Sequence, residues 1–141
     1  MAVVVDASTV IALITPDPRQ HAVAAKFQDW FSADEELHAP AVLANEVANV
    51  LARLVWDGIY DADDVPAAWV NIHLLGLVLH PFDLLADGPR IAAIAAHLRR
   101  RHATDCAYLS LSETLGLELW TLDGPLSRAG KMHGFAVQLI G

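Results

Sequence analysis

The chain of 141 residues has the length of one domain, which we predict to span residues 1–141. Hydrophobic residues make up 55% of it, and its single cysteine excludes both an internal disulfide and a zinc site built from cysteines. A net charge of −8 argues against a protein that holds nucleic acid by a general excess of positive charge, so a polyanionic substrate would need a local basic patch or metal ions.

Targeting signals are not evident in the sequence. The start MAVVVDAS lacks the basic residues and the long apolar run of a signal peptide. No uncharged apolar stretch reaches a length of about 18 residues, which a membrane-spanning helix needs. We therefore expect a cytoplasmic protein that does not cross a membrane.

The first half of the chain predicts alternating strands and helices. AVVVD at 2–6 is a continuous β-branched run typical of a buried strand, and ASTVIALI at 7–14 predicts a short helix that ends before Pro16. The elements that follow are a helix over 18–31, a strand over 36–40, a helix over 41–58 with Gly58 as its C-cap, and a helix over 61–76.

The second half continues the alternation. Its predicted elements are a strand over 77–82, a helix over 86–102, a helix over 104–116 capped by Thr104, a strand over 117–124 that runs into a turn, a short helix or loop over 124–134, and a strand over 135–140. Strands that alternate with helices predict an α/β fold, in which a mostly parallel sheet is covered by helices on both faces.

Acidic residues recur where two of these strands end, at Asp6 and Asp123. Functional sites of open parallel sheets form beyond the carboxyl ends of the strands, so both acids should lie at one edge. Asp105 begins the helix before the second of these strands, and a right-handed connection places that helix start at the same edge. Glu46 shares a polar stripe with Asn49 on an otherwise apolar helix.

Each acid also has an ordinary structural explanation. Asp6 can cap the helix that follows it, and Asp105 suits the dipole of its helix. Asp123 starts a common Asp-Gly turn, and Glu46 can be a solvated surface residue. The joint occurrence favours a site, because the repulsion between gathered carboxylates is offset by a divalent cation. Oxygen ligands of this kind favour Mg²⁺ or Mn²⁺ over zinc.

Four segments in order, VVVDASTVIAL, NEVANVL, TDCAYLSLSETLG and LWTLDGPL, resemble the PIN-domain ribonucleases, particularly the VapC toxins of bacterial toxin–antitoxin pairs. The resemblance covers nearly the whole chain. It implies a three-layer α/β/α sandwich with a mostly parallel sheet of about four to five strands. It also implies an endoribonuclease whose acids bind one or two Mg²⁺ or Mn²⁺ ions, with an antitoxin protein as partner and a homodimer as the assembly.

The resemblance carries over to this chain residue by residue. The matching positions are four acids as catalytic metal ligands (Asp6, Glu46, Asp105 and Asp123), two supporting hydroxyls (Ser8 and Thr121) and a supporting amide (Asn49). Gly124 follows Asp123 where the family pattern has a basic residue, which leaves open whether Asp123 contacts the metal directly. Early helices, with aromatic residues such as Trp30 and Trp69, are implied to form part of a groove for the antitoxin.

Basic residues flank the predicted site in sequence. The run Arg99–Arg101 precedes Asp105, while Arg128 and Lys131 follow Asp123. Both groups are candidates for contacts to RNA phosphates. We favour Arg128 and Lys131, because the arginine run is also explained by the dipole at the C-terminus of its helix.

Two other functions remain open from the residues alone. A receiver-like signalling domain also binds Mg²⁺ with acids at strand ends and accepts phosphate on one of them, but it needs a lysine at a strand end. The two lysines here, Lys26 and Lys131, do not end strands. A catalytically inactive PIN module that only binds partners is the second alternative, and the presence of all four acids argues against it.

Other residue types give weaker indications. The seven histidines show no H-x-H or H-x-x-x-H spacing, which gives little support to a histidine metal site. Cys106, on an apolar helix, is expected to be a small buried residue. Tryptophans such as Trp30 more often fill a core or an interface than stack on bases.

Overall fold

A computed structural model describes residues 1–100 and 102–141, and within them it contains five strands and seven α-helices. The strands are β1 (Ala2–Val5), β2 (Glu36–Pro40), β3 (Val78–His80), β4 (Leu119–Thr121) and β5 (Val137–Leu139). The helices are α1 (Ala7–Ile14), α2 (Gln20–Ser32), α3 (Val42–Trp56), α4 (Val65–Leu74), α5 (Asp87–Leu98), α6 (Thr104–Leu115) and α7 (Gly124–Met132). A short 3₁₀ helix over Ala62–Asp64 precedes α4.

The ends of the elements differ from the predictions in two instructive places. The predicted helix over 86–102 ends at Leu98, because Arg99 adopts a left-handed conformation with φ of 53°. Thr104 is the first residue of α6 and does not cap it, since Ala103 occupies the N-cap position. The predicted role of Gly58 is confirmed: its φ of +72° ends α3 in the left-handed turn that glycine favours.

All five strands run parallel in the order β3-β2-β1-β4-β5, which confirms the predicted parallel sheet. Strands β2 and β3 therefore lie on one side of β1, and strands β4 and β5 lie on the other side. Receiver domains have the order 2-1-3-4-5, so this topology disfavours the signalling alternative.

The direction in which each connection moves along the sheet determines which face its helices cover. Right-handed connections that move in opposite directions from β1 place their helices on opposite faces. Helices α1 to α4 accordingly pack together on one face around α1, whereas α6 crosses β1, β2 and β4 on the other, with α5 beside it. This arrangement is the predicted three-layer α/β/α sandwich. None of the helices in the described ranges combines the length and the hydrophobicity that crossing a bilayer requires.

The central strand explains the apolar run at the start of the chain. Val3, Val4 and Val5 are buried because β1 has neighbours on both sides and helices on both faces. Trp30 is also buried, and its ring meets Trp120 edge-on with centroids 5.8 Å apart. Burial of a large apolar side chain stabilises a fold by about 1.5–3 kcal/mol. Trp30 therefore belongs to the core, as its sequence context favoured.

Gly130 provides a test of how closely α7 packs on the sheet. A Cβ at this position would lie 2.6 Å from Cγ2 of the buried Val137. We expect Gly130→Ala to lower the free energy of unfolding by about 1–2 kcal/mol, because overpacking outweighs the gain in helix propensity. Gly88→Ala is the matched control, since its Cβ would lie 4.0 Å from Phe82. Urea denaturation should show the control as stable as the parent or slightly more stable.

Candidate active site

The candidate site lies where the direction of strand order reverses, between the carboxyl ends of β1 and β4. Crevices at such points are the usual binding sites of open parallel sheets. Asp6 follows β1 directly, and its N–H donates to the carbonyl of Trp120 at 3.0 Å. This bond extends the register of Val5 with Trp120 by one residue and so places Asp6 beside Thr121.

The carboxylate of Asp6 is buried and held by two hydroxyl groups. Thr121 Oγ1 donates to Asp6 Oδ2 at 2.7 Å, and Ser8 Oγ donates to the same oxygen at 2.9 Å. Ser8 is itself fixed by the N–H of Leu122 at 3.1 Å. The other oxygen, Oδ1, accepts no hydrogen bond from the residues that the structure describes. One oxygen is thus oriented by protein, and the other is left for a ligand.

The ordinary explanation of Asp6 as a helix cap does not account for this geometry. Asp6 stands at the N-cap position of α1, but its side chain makes no capping hydrogen bond. Its main-chain carbonyl accepts from Thr9 instead, through both the N–H at 3.0 Å and the hydroxyl at 2.7 Å. The carboxylate of Asp6 is therefore not used to cap α1.

Electrostatics make the ionised form of Asp6 costly in this environment. Burial raises the pKa of Asp6 above its ordinary 3.8, and the charges of Asp105 and Asp123 raise it further. The hydrogen bonds from Thr121 and Ser8 act in the opposite direction without cancelling the effect of burial. A cation in the crevice would remove this penalty.

Glu46 reaches the same crevice from α3. The hydroxyl of Tyr108 donates to Glu46 Oε1. Burial raises the pKa of Glu46; the Tyr108 hydrogen bond lowers it, while the charges of Asp6 and Asp105 raise it. Burial also raises the pKa of Tyr108, which stays a neutral donor. Sequence reasoning missed Tyr108, although its position three residues after Asp105 placed both on one face of α6.

Asp105 and Asp123 share a guanidinium group. Arg100 Nη2 lies 2.6 Å from Asp105 Oδ2 and 3.9 Å from Asp123 Oδ2. The other oxygen of Asp123 accepts from the N–H of Leu126 at 2.9 Å and caps α7. The turn explanation of Asp123 therefore holds for one of its oxygens, whereas the second faces the acidic cluster formed by Asp6, Glu46, Asp105 and Asp123.

The acidic cluster fits a hard divalent cation by its chemistry. Its donors are carboxylate oxygens, which Mg²⁺ and Mn²⁺ prefer, and Asp6 Oδ1 has no competing hydrogen bond within the described residues. Within residues 1–100 and 102–141, no three acids, histidines or cysteines are placed closely enough to hold one ion together. Asp105 and Asp123 point to Arg100 instead.

The remaining predicted residues occupy different surroundings. Asn49 is exposed, and no hydrogen bond within the described residues joins it to the acidic cluster. Arg128 is exposed on α7, and its guanidinium lies over Gly124, where a Cβ would come 3.2 Å from Nη1. Lys131 is exposed one turn further along the helix. Arg101, part of the predicted arginine run, lies outside the described residues.

A further basic residue at this edge was not anticipated from the sequence. Arg19, at the start of α2, donates from Nη1 to the carbonyl of Leu122 at 3.3 Å, while it also pairs with Asp17. Its separation of 103 residues from Leu122 explains why no local pattern pointed to it. Arg100 thus contacts acids of the cluster, Arg19 lies against Leu122 and Arg128 lies over Gly124, the two residues on either side of Asp123.

An apolar groove of about 400 Å³ lies next to the cluster, between the ends of β2 and β3 and helices α5 and α6. Phe82, Ile91 and Leu111 contribute apolar side chains, and Thr104 at its margin directly precedes Asp105. None of the residues that line this groove comes from α2 or α4, the early helices that the family resemblance implied for the antitoxin. Most of its lining comes from the second half of the chain, and Pro40, Ala41 and Val42 contribute from the first half.

Four of the seven histidines lie in two close pairs, and the cysteine is buried. His38 Nδ1 lies 2.8 Å from His80 Nε2, and His133 Nδ1 lies 3.0 Å from His97 Nε2. Cys106 is fully buried, as predicted, and burial raises the pKa of its thiol. Within the described residues, neither the histidines nor the cysteine donates a side-chain hydrogen bond to the acidic cluster.

Comparison with known proteins decides the family. The PIN domain family matches residues 3–132. The chain belongs to the PIN-domain family. This PIN domain is 33% identical over 128 residues to Ribonuclease VapC3 of Mycobacterium tuberculosis, in both strains CDC 1551 and H37Rv, which covers 90% of this chain and 86% of the relative. The predicted resemblance to PIN-domain ribonucleases of the VapC type is thereby confirmed.

A solved structure supports the fold. The crystal structure of PAE2754 from Pyrobaculum aerophilum matches this PIN domain with a TM-score of 0.66 at 21% identity. The match covers 92% of this chain and 87% of the other. Such a likeness shows that the two chains share the three-layer architecture described above.

The penalty on ionised Asp6 predicts a pH-dependent stability of the metal-free protein. The folded pKa lies above 3.8, so folded protein binds the proton more tightly, and stability falls as pH rises through the folded pKa. Asp6→Asn does not titrate, and in EDTA at about pH 7 it should exceed the parent by the order of 1 kcal/mol. Below the unfolded pKa the difference should vanish.

Urea denaturation at several pH values measures this difference. Asp29→Asn, at an exposed position on α2, is the control and should follow the parent at every pH. A metal-free Asp6→Asn protein less stable than the parent at neutral pH would contradict the penalty on the buried charge.

Proposed function

We propose that this PIN domain is a Mg²⁺- or Mn²⁺-dependent endoribonuclease, the toxin of a toxin–antitoxin pair. The observation that carries the proposal is the buried carboxylate of Asp6, with three further acids around it at the reversal point of the sheet. The name of the relative, Ribonuclease VapC3, supports RNA as the substrate. Hydrolysis of a phosphodiester bond by water requires no nucleophilic side chain.

Each acid of the cluster has a proposed role in this reaction. Asp6 and Asp105 would hold the metal ion, with Glu46 and Asp123 completing its surroundings. When bound, the ion activates water and offsets negative charge on the phosphate. Ser8 and Thr121 hold Asp6 Oδ2 by hydrogen bonds, and Asp6 Oδ1, which accepts none from the described residues, would contact the metal ion.

Glu46 is suited to handle the proton that the attacking water loses. Its raised pKa brings the carboxylate nearer to the working pH, where a general base is most effective. Tyr108 holds Oε1 by a hydrogen bond, so Glu46 Oε2 is the atom that would accept the proton. Tyr108 would act through Glu46, as the residue that positions its carboxylate.

Positive charge around the acidic cluster accounts for RNA binding by an acidic protein. Arg128 lies over Gly124, next to Asp123, and Lys131 continues the same helix. Guanidinium and ammonium groups at these positions would contact phosphates that flank the cut. Asn49 is proposed to support the site once RNA or metal is bound.

Partners follow from the apolar surfaces. The groove between β3, α5 and α6 offers a docking site for an apolar segment of an antitoxin protein. Trp56 and Leu74 are strongly exposed and suit a second protein surface, which we assign to a homodimer. We place this activity in the cytoplasm, without membrane association.

Asp6→Asn tests the proposed reaction. The variant should lose Mg²⁺-dependent RNA cleavage by more than about 100-fold, because a metal ligand is removed while the fold is retained. Asp29→Asn should cleave like the parent. Cleavage is measured on a mixture of cellular RNAs with Mg²⁺, with Mn²⁺ and with EDTA, and the fragment ends are sequenced.

The outcome also separates the alternatives. A catalytically inactive PIN module would give no metal-dependent cleavage in the parent, and a receiver-like domain would be labelled by a small phosphodonor. Cleavage that persists in Asp6→Asn would refute the assignment of this carboxylate.

Charge reversal on α7 tests the phosphate contacts. Arg128→Glu should weaken RNA binding by about tenfold at low salt, and less at high salt, because screened phosphate contacts contribute less. Lys131→Glu should have a smaller effect, since it lies further from Gly124. Filter binding in EDTA measures RNA affinity without cleavage. Equal losses of RNA affinity and Mn²⁺ affinity would contradict the phosphate role.

A further inference from the structure

Arg100 lies against two members of the acidic cluster, Asp105 and Asp123. Its guanidinium contacts Asp105 Oδ2 at 2.6 Å and approaches Asp123 Oδ2 at 3.9 Å. The side chain of Arg100 is only 20% exposed, and the two carboxylates are 32% and 36% exposed. Partial burial weakens the screening that makes most surface ion pairs negligible. The pairing is therefore an appreciable interaction of the metal-free protein.

The backbone fixes the position of this guanidinium. The N–H of Arg100 donates to the carbonyl of Ala95 at 2.9 Å, and the N–H of Arg99 donates to that of Ala96 at 3.2 Å. These two bonds form a Schellman motif, the turn that ends many helices. Arg99 holds the left-handed position of the motif and Arg100 the next one. The chain is thereby turned from α5 so that Arg100 reaches the start of α6.

The same turn at the end of α3 shows that this one is unusual. There, Gly58 takes the left-handed position, which costs glycine no steric strain. At α5 the position is taken by Arg99, which is strained in this conformation. The turn before α6 is thus maintained against a local backbone preference, and the ion pair of Arg100 with Asp105 is one contact that offsets it.

We propose that Arg100 is an internal counter-cation that occupies the acidic cluster of the metal-free protein and competes with the divalent ion for Asp105 and Asp123. This inference rests on the proposed function, because it concerns the same acids. A guanidinium at 2.6 Å from Asp105 Oδ2 excludes a cation from that oxygen, since like charges repel and the site around the atom is filled. Metal binding therefore requires Arg100 to move away.

The competition has two measurable consequences. The apparent affinity of the cluster for metal is reduced, since the ion must replace a bound positive charge. The metal-free fold is stabilised, since Arg100 offsets repulsion between carboxylates that would otherwise remain uncompensated. Removal of the guanidinium should thus raise metal affinity and lower the stability of the metal-free protein. A merely structural ion pair would predict only the second effect.

Arg100→Gln is the test, with Arg99→Gln as the matched control. Both variants lose one positive charge within the same turn. Of the two arginines, Arg100 is the one whose side chain contacts the acidic cluster within the described residues. Electron paramagnetic resonance of free Mn²⁺ during titration gives the dissociation constant. Arg100→Gln should bind Mn²⁺ about tenfold more tightly than the parent, whereas Arg99→Gln should stay within about twofold.

Thermal denaturation in EDTA and in Mn²⁺ provides the second measurement. The melting temperature of Arg100→Gln should fall by about 3 °C in EDTA and recover fully in Mn²⁺. Arg100→Lys keeps the charge and should show a Mn²⁺ affinity closer to that of the parent. This variant also keeps the test informative if the glutamine variant folds poorly.

The outcomes separate this inference from the proposed function. If the parent binds Mn²⁺ and Arg100→Gln binds it equally or more weakly, the competition is refuted while the proposed metal site stands. If neither protein binds Mn²⁺, both are refuted. Binding by Arg100→Gln alone would support both, because the guanidinium would then be the group that excludes the ion.

Discussion

A carboxylate buried at the end of the central strand has to be compensated by its neighbours, and the arrangement around Asp6 is the response to that requirement. The hydroxyls of Ser8 and Thr121 support one oxygen, and the remaining charge adds to that of Asp105 and Asp123. Such a penalty lowers the stability of a domain that is only marginally stable. The proposed metal ion would offset this penalty.

Topology brings the compensating groups together. Since the sheet grows in opposite directions from β1, residues that follow β1 and β4 meet at one crevice although they are more than a hundred positions apart in sequence. Helix α6 crosses this point and supplies Asp105 at its start and Tyr108 one turn later. The site is therefore a property of the sheet order more than of any single motif.

Much of this could be predicted from the sequence, because the informative patterns are local. A β-branched run that ends in Asp6, and Gly58 after an apolar helix, each indicate their structure within a few residues. Arg19 could not be assigned, because its partner Leu122 lies 103 residues away. Tyr108 shares a helix face with Asp105, but its hydrogen bond to Glu46 spans 62 residues and had no local signal. The predicted end of α5 was wrong by four residues, since arginine gives no local signal for the left-handed turn at Arg99.

The bond from Thr121 to Asp6 spans 115 residues, and this separation has a consequence for biosynthesis. A nascent chain that has not yet reached β4 contains Asp6 but lacks the hydroxyl from the adjacent strand, as well as the carboxylate of Asp123. Helix α6 also lacks the strand that follows it. The acidic cluster is thus complete only after β4 and the residues that follow it have been made and have docked beside β1.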